Sequence, residues 1–168
     1  MNSRHTALIH IALDLVGGVD KAKDVLEALT ARGDLVSISS VYKRYLTTER
    51  LDSSARLEFV IRLETLWGVD QVLHLALSLC EKPPEGPLQK SHTELTLLAF
   101  DNLILMSPRL TLPYPQMHQD PLIIRCSAEA WGQYEHPIYH KNLSEISKTA
   151  GPAQQAEFYM QGKSLVEM

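Results

Sequence analysis

The sequence predicts an α+β fold, an antiparallel sheet with helices on its faces, built in the order β-α-β-β-α-β with additions at the C-terminal end. Three observations carry that prediction. Short apolar runs of strand length alternate with two segments whose apolar residues recur at helical spacing. Two β-rich segments follow one another with no helix between them. The chain has 168 residues and 45% hydrophobic content, enough for one core and too short for two ordinary domains, so a single domain is expected over 1–168.

Taken in order, Thr6 to Leu13 is an apolar strand that ends at the turn Asp14-Leu15-Val16-Gly17-Gly18. From Val19 to Arg32, Val19, Ala22, Val25, Leu26, Ala28 and Leu29 form one apolar stripe, and Gly33 stands at the expected C-terminal cap. Leu35 to Glu49 is rich in β-branched and aromatic residues and reads as one strand. After the polar residues 50–54, Leu57 to Glu64 alternates, with Leu57, Phe59, Ile61 and Leu63 facing the core and Glu58 and Arg62 outward. Gly68-Val69-Asp70 opens a second amphipathic helix with Val69, Val72, Leu73, Ala76, Leu77 and Cys80 on its buried face, and Pro83-Pro84 stops it.

The next run, Thr93 to Leu105, is the one the rest is organised around. Glu94 and Thr96, two residues apart on a strand, share a face while Leu95 and Leu97 pack the other way. A central strand at 93–100 completes a ferredoxin-like β-α-β-β-α-β unit. Leu103–Met106 and Leu110–Leu112 read as two short strands around Ser107-Pro108. A third helix follows Asp120-Pro121 and runs to about Trp131, and 142–146 reads as a short turn or helix. Residues 149–168 are expected to be a tail or a packed helix.

Net charge is −4, with no cluster of five basic residues, which disfavours nucleic acid and anionic membranes as partners. No apolar run has the length of a membrane helix, and Met1 to His5 does not open a signal peptide, so a cytoplasmic location is expected. Cys80 and Cys126 lie far apart and are expected as buried, reduced thiols.

Several stretches together resemble the 6-hydroxymethyl-7,8-dihydropterin pyrophosphokinase (HPPK) family of folate biosynthesis. They are Ser39-Ser40-Val41-Tyr42-Lys43, Leu63-Glu64-Thr65, the strand at 93, and Pro108-Arg109-Leu110-Thr111-Leu112-Pro113, in the family's order and covering about Thr6 to Ile146. The family's metal strand reads roughly Arg-Thr-Leu-Asp-Leu-Asp-Ile, followed by Arg-Leu-x-x-Pro-His. The resemblance implies the family's fold and puts Glu94 and Thr96 at the two metal positions, with Tyr114 in place of the histidine.

In that family two aspartates hold two magnesium ions that bridge the ATP phosphates, while the pterin hydroxymethyl oxygen attacks the β-phosphorus. Here Glu94 keeps one carboxylate and Thr96 is neutral, a change worth several kcal/mol of transition-state stabilisation, or roughly a thousandfold in rate. The family's arginine-rich ATP clamp is shortened to residues 81–91, in which Lys82 and Lys90 are the only basic residues. The pterin-stacking and pterin-edge positions correspond to Arg56, Leu122 and Glu58; Arg44, Tyr45 and Tyr114 complete the set that surrounds the family's pterin. At the opening strand the family's Gly-Ser-Asn is Ala12-Leu13-Asp14.

The resulting expectation is a catalytically impaired or inactive paralogue with no bound cofactor, kept for an unknown small-molecule or protein partner. The alternative is a diverged, active enzyme that uses magnesium and ATP with Glu94 as the surviving ligand. Other patterns carry less. Gly86 to Ser91 lacks the spacing of a phosphate loop, and Pro87 removes an amide donor. His136 and His140 are spaced like metal ligands, but Pro137 between them argues for a loop. Glu58 and Arg56 read as exposed strand residues, and His10 as a satisfied histidine on an apolar strand.

Overall fold

The computed structural model describes residues 3–81 and 92–167. Its strands and helices are β1 (His5–Asp14), α1 (Gly18–Thr30), β2 (Asp34–Ile38), β3 (Val41–Tyr45), β4 (Ala55–Thr65), α2 (Val69–Leu79), β5 (Thr93–Phe100), β6 (Leu105–Met106), β7 (Thr111–Leu112), α3 (Pro121–Trp131), α4 (Leu143–Thr149) and β8 (Ala156–Met160). The main sheet runs β5-β1-β4-β3-β8, with β2 also on β4, and every pairing is antiparallel. β6 and β7 form a separate hairpin. The result is an antiparallel sheet with four helices.

Alternation along β1 and β4 sorts their side chains onto two faces. Ala7, Ile9, Ile11 and Leu13 pair in register with Leu63, Ile61, Phe59 and Leu57, and with Leu95 and Leu97 of β5 they form a core covered by α1 and α2. The other face begins apolar, with Leu8, Val60 and Leu98 packed against Leu122, Ile123, Ile124 and Cys126 of α3. Toward the opposite end of the strands that face turns polar, and the candidate site lies there.

Several expectations need correction. β5 is an edge strand, because β1 spends its two edges on β4 and β5 and no described strand pairs with the outer side of β5. The stretch from 35 to 49 is two strands rather than one. At the break, Ser39 donates its backbone N–H to the Val60 carbonyl, and its Oγ accepts from the Val60 N–H, both at 2.9 Å, so a side chain takes over a ladder bond. Gly33 is not a left-handed cap, since α1 ends at Thr30 with the Ala31 N–H bonded to the Glu27 carbonyl and the Arg32 N–H to the Leu29 carbonyl. A Cβ at residue 33 would stand 2.4 Å from the Glu64 carbonyl oxygen, so this glycine serves close approach to β4.

On α2, Val72 and Ala76 are buried as expected, whereas Leu77 is 56% exposed. Gln71 Oε1 caps its first turn by accepting from the Gly68 N–H at 3.0 Å. The proline stop at Pro83-Pro84 and the basic residues Lys82 and Lys90 lie outside the described residues, as does the stretch Gly86 to Ser91. The C-terminal segment is neither tail nor helix at 156–160 but the strand β8, held on the free edge of β3 through Val41, Tyr42, Lys43 and Arg44. No described helix is long and apolar enough to cross a membrane. Cys80 and Cys126 are free thiols; Cys126 is fully buried and Cys80 partly so.

Candidate functional site

The polar patch is assembled by strand register. Tyr42 of β3 lies opposite Glu58 of β4, Glu58 opposite Ala12 of β1, and Ala12 opposite Glu94 of β5. One step along, Thr96 is opposite His10, which is opposite Val60, while Arg56 faces both Asp14 and Arg44. Directly opposed residues share a face, so His10, Arg44, Arg56, Glu58, Glu94 and Thr96 all project to the α3 side.

Three of these groups close, with Asp120 at the start of α3, into a largely buried network. His10 Nε2 donates to Glu58 Oε1 at 2.8 Å. Arg44 Nη2 donates to the same oxygen at 3.1 Å and to both Asp120 oxygens at 3.0 Å. Arg44 Nε lies 2.6 Å from Glu58 Oε2, close in distance, but its N–H is not directed at an acceptor. Asp120 also caps α3, accepting from Leu122 N at 3.0 Å and Ile123 N at 3.2 Å, with Pro121 in the first turn. The cap therefore ties the start of α3 to the sheet through one guanidinium.

Glu58 is only 3% exposed, against the reading of it as an outward strand residue. Burial opposes its ionisation, yet the bonds from His10 and Arg44 outweigh burial and hold its carboxyl below the usual range. Asp120 behaves alike: burial is opposed by Arg44 and the two backbone N–H groups, which win. Burial disfavours the Arg44 cation, but the two carboxylates push its pKa up. Oppositely charged groups thus stay charged inside the fold by mutual support.

The other positions scatter around this network. Glu94 is half exposed, 3.3 Å from His92 Nε2 and 3.7 Å from Arg56 Nη1. Thr96 is half-buried and lines a cleft of about 350 Å³ with Leu73, Leu77, Arg109, Thr111 and Tyr114. Among the described residues, no group of three or more His, Cys, Asp and Glu is placed to hold a metal ion. One carboxylate shared with an arginine, beside a neutral hydroxyl, does not match the anionic oxygens that two magnesium ions need. Leu122 is buried in the apolar cluster between α3 and the sheet. Tyr45 alternates to the opposite face from Arg44; its ring sits under Lys43 and Arg50, and its hydroxyl donates to Glu157 at 3.0 Å.

His10 and Asp120 are the members that sequence reasoning left out of the site. His10 shares the strand face that the register gives to Thr96, and Asp120 was visible only as a helix cap. His136 and His140 do not converge: His136 is buried with its Nδ1 turned to backbone N–H groups, and His140 is exposed with φ 57°. A larger cleft of about 470 Å³ lies at the β1–α1 turn, between Asp14, Gly17, Lys21, Asp52 and His92.

No protein-family model and no curated protein matches the sequence. Solved structures do. A triple mutant of Plasmodium falciparum HPPK-DHPS with SDX-DHP matches with a TM-score of 0.65, 9% identity, and coverage of 88% of this chain and 44% of that chain. The wild-type protein with STZ-DHP gives 0.62, 9%, 88% and 43%, and with pterin and p-hydroxybenzoate 0.60, 9%, 88% and 43%. The chain spans less than half the length of these proteins. At this identity the likeness concerns architecture, and the fold of this chain is HPPK-like.

Proposed function

We propose that this chain is an HPPK-like protein with a ferredoxin-like core, whose pyrophosphate transfer is impaired or lost and which serves as a cytoplasmic binding or interaction protein. The observation that carries this reading is the Arg44 guanidinium between Glu58 and Asp120. Arg44, Glu58 and Leu122 stand at positions that the family resemblance gives to the pterin. Here a protein side chain already satisfies the Glu58 carboxylate, which stands where the family reads the pterin edge. Glu94, at the family's metal position, is ion-paired with Arg56, and Thr96 adds no charge.

A second reading keeps the enzyme. Glu94 is 51% exposed, so its carboxylate remains open to a cation supplied with ATP, and Thr96, Arg109 and Tyr114 line one cleft beside it. Release of AMP from ATP and magnesium in the presence of 6-hydroxymethyl-7,8-dihydropterin separates the two. The first reading expects a rate at least about a thousandfold below an ordinary kinase turnover of ~1–100 per second. Turnover within that ordinary range establishes the second.

A further inference from the structure

On the far side of Tyr114 from the Thr96 cleft, the loop that carries His136 builds a second concavity. His136 is 2% exposed, beside the isolated bridge between Glu135 and Asn142. Its Nδ1 accepts the backbone N–H groups of Ile138 and Tyr139, at 3.2 and 3.3 Å. Those two bonds fix the neutral tautomer with the proton on Nε2. Burial and the neighbouring His118 hold the imidazole down at about 4, which keeps it neutral at physiological pH. Among the described residues the Nε2–H has no acceptor.

His136 lines a cavity of about 280 Å³ between the β6–β7 hairpin, residues 113–119 and the 136–139 loop. The Tyr139 ring stands 4.7 Å from that of His136 and 4.8 Å from that of His118, and Met106, Leu112 and Pro113 add apolar wall. No Asp, Glu, Lys or Arg is among the described residues that line it. The Nε2–H is unpaired but not sealed from solvent, so an acceptor on a ligand would take the place of water there, and the rings around it favour a flat partner. An ionised ligand would lose its hydration here with no counter-charge to replace it. The volume suits a single ring with a small substituent.

The geometry points to a binding site for a small, uncharged aromatic or heteroaromatic ligand whose one acceptor atom takes the Nε2–H of His136. The site uses none of the network around Glu58, although its wall shares Tyr114 with the Thr96 cleft.

The probe is benzamide, with ethylbenzene as the same shape without the acceptor and benzoate as the charged form. Long-range nitrogen–proton NMR on the labelled, unmodified protein follows His136 Nε2 directly. The expected result is a saturable shift of that resonance with benzamide at up to about 10 mM, and roughly tenfold weaker binding of both ethylbenzene and benzoate. In His136→Phe, which keeps a ring and loses the donor, benzamide loses its advantage over ethylbenzene. No saturable shift at His136, or equal binding of ethylbenzene or benzoate to the unmodified protein, overturns the assignment. The titration of the unmodified chain decides the matter even if the variant does not fold.

Discussion

The two faces of β1 and β4 differ in how they hold buried side chains. On the α1–α2 side, Ile9, Ile11, Leu57, Phe59 and Ile61 pack apolar surface on apolar surface, and each side chain contributes about 1.5–3 kcal/mol on its own account. One residue along the same strands, His10 and Glu58 are nearly as deeply buried but depend on Arg44 and Asp120 to stay there. The first kind of burial is roughly additive. The second is conditional, because each charge is tolerable only while its partner is present.

Adjacent truncations break that comparison most directly. Phe59→Ala should cost about 3–5 kcal/mol through the cavity it leaves. Glu58→Ala should cost a similar ~3–5 kcal/mol, because the buried His10 loses its partner and the partly buried Arg44 one of its two. The mechanisms are separable: combining Glu58→Leu with Arg44→Met and Asp120→Ser should recover most of the loss, whereas no change at Arg44 should rescue Phe59→Ala. Urea midpoints read all of these. A Glu58→Ala cost below about 1 kcal/mol, the range of exposed pairs, would show that the network is not a buried unit.

Acid sharpens the contrast. Glu58 and Asp120 titrate below their ordinary values of 4.5 and 3.8, so their contribution is complete above those values and is lost as pH falls through the lower folded ones. His136 acts earlier. Its folded value of about 4 lies below the unfolded 6.5, so the unfolded chain takes up the proton first and stability declines between those pH values as pH falls. The change is on the order of 3 kcal/mol. A stability profile that is flat from pH 7 to 4 in the unmodified protein, and unchanged by His136→Phe, would contradict this assignment.

The smallest effect belongs to the rim. Arg56 and Glu94 are both partly exposed and 3.7 Å apart, so Arg56→Met should move stability by no more than about 0.5 kcal/mol. A loss of several kcal/mol would mean that Arg56 carries part of the network.

Periodicity reached the apolar face because its rule is local. Leu57, Phe59, Ile61 and Leu63 declare their face by alternation alone, and Asp120-Pro121 declares a helix start. The polar face was less legible, since whether Glu58 is exposed depends on Arg44 and on α3, which comes more than sixty positions later. The same non-locality hid the edge position of β5 and the strand β8, whose pairing with β3 no short window records. The break at Ser39 escaped notice because a serine hydroxyl took the role of a backbone acceptor. Glu94 and Thr96 were correctly paired on one strand face, but the sequence did not reveal that Arg56 lies against the carboxylate.

The central claim is that the charges at the candidate site are already matched within the chain, leaving too little anionic oxygen for two magnesium ions. Titration calorimetry of the unmodified protein with magnesium and a non-hydrolysable ATP analogue tests it most directly. The account predicts no measurable binding at millimolar nucleotide, and none in the Glu94→Asp, Thr96→Asp double variant, whose carboxylates still lack the family's arginine clamp. Micromolar binding by the unmodified chain would contradict the account and return the protein to the active pyrophosphokinases.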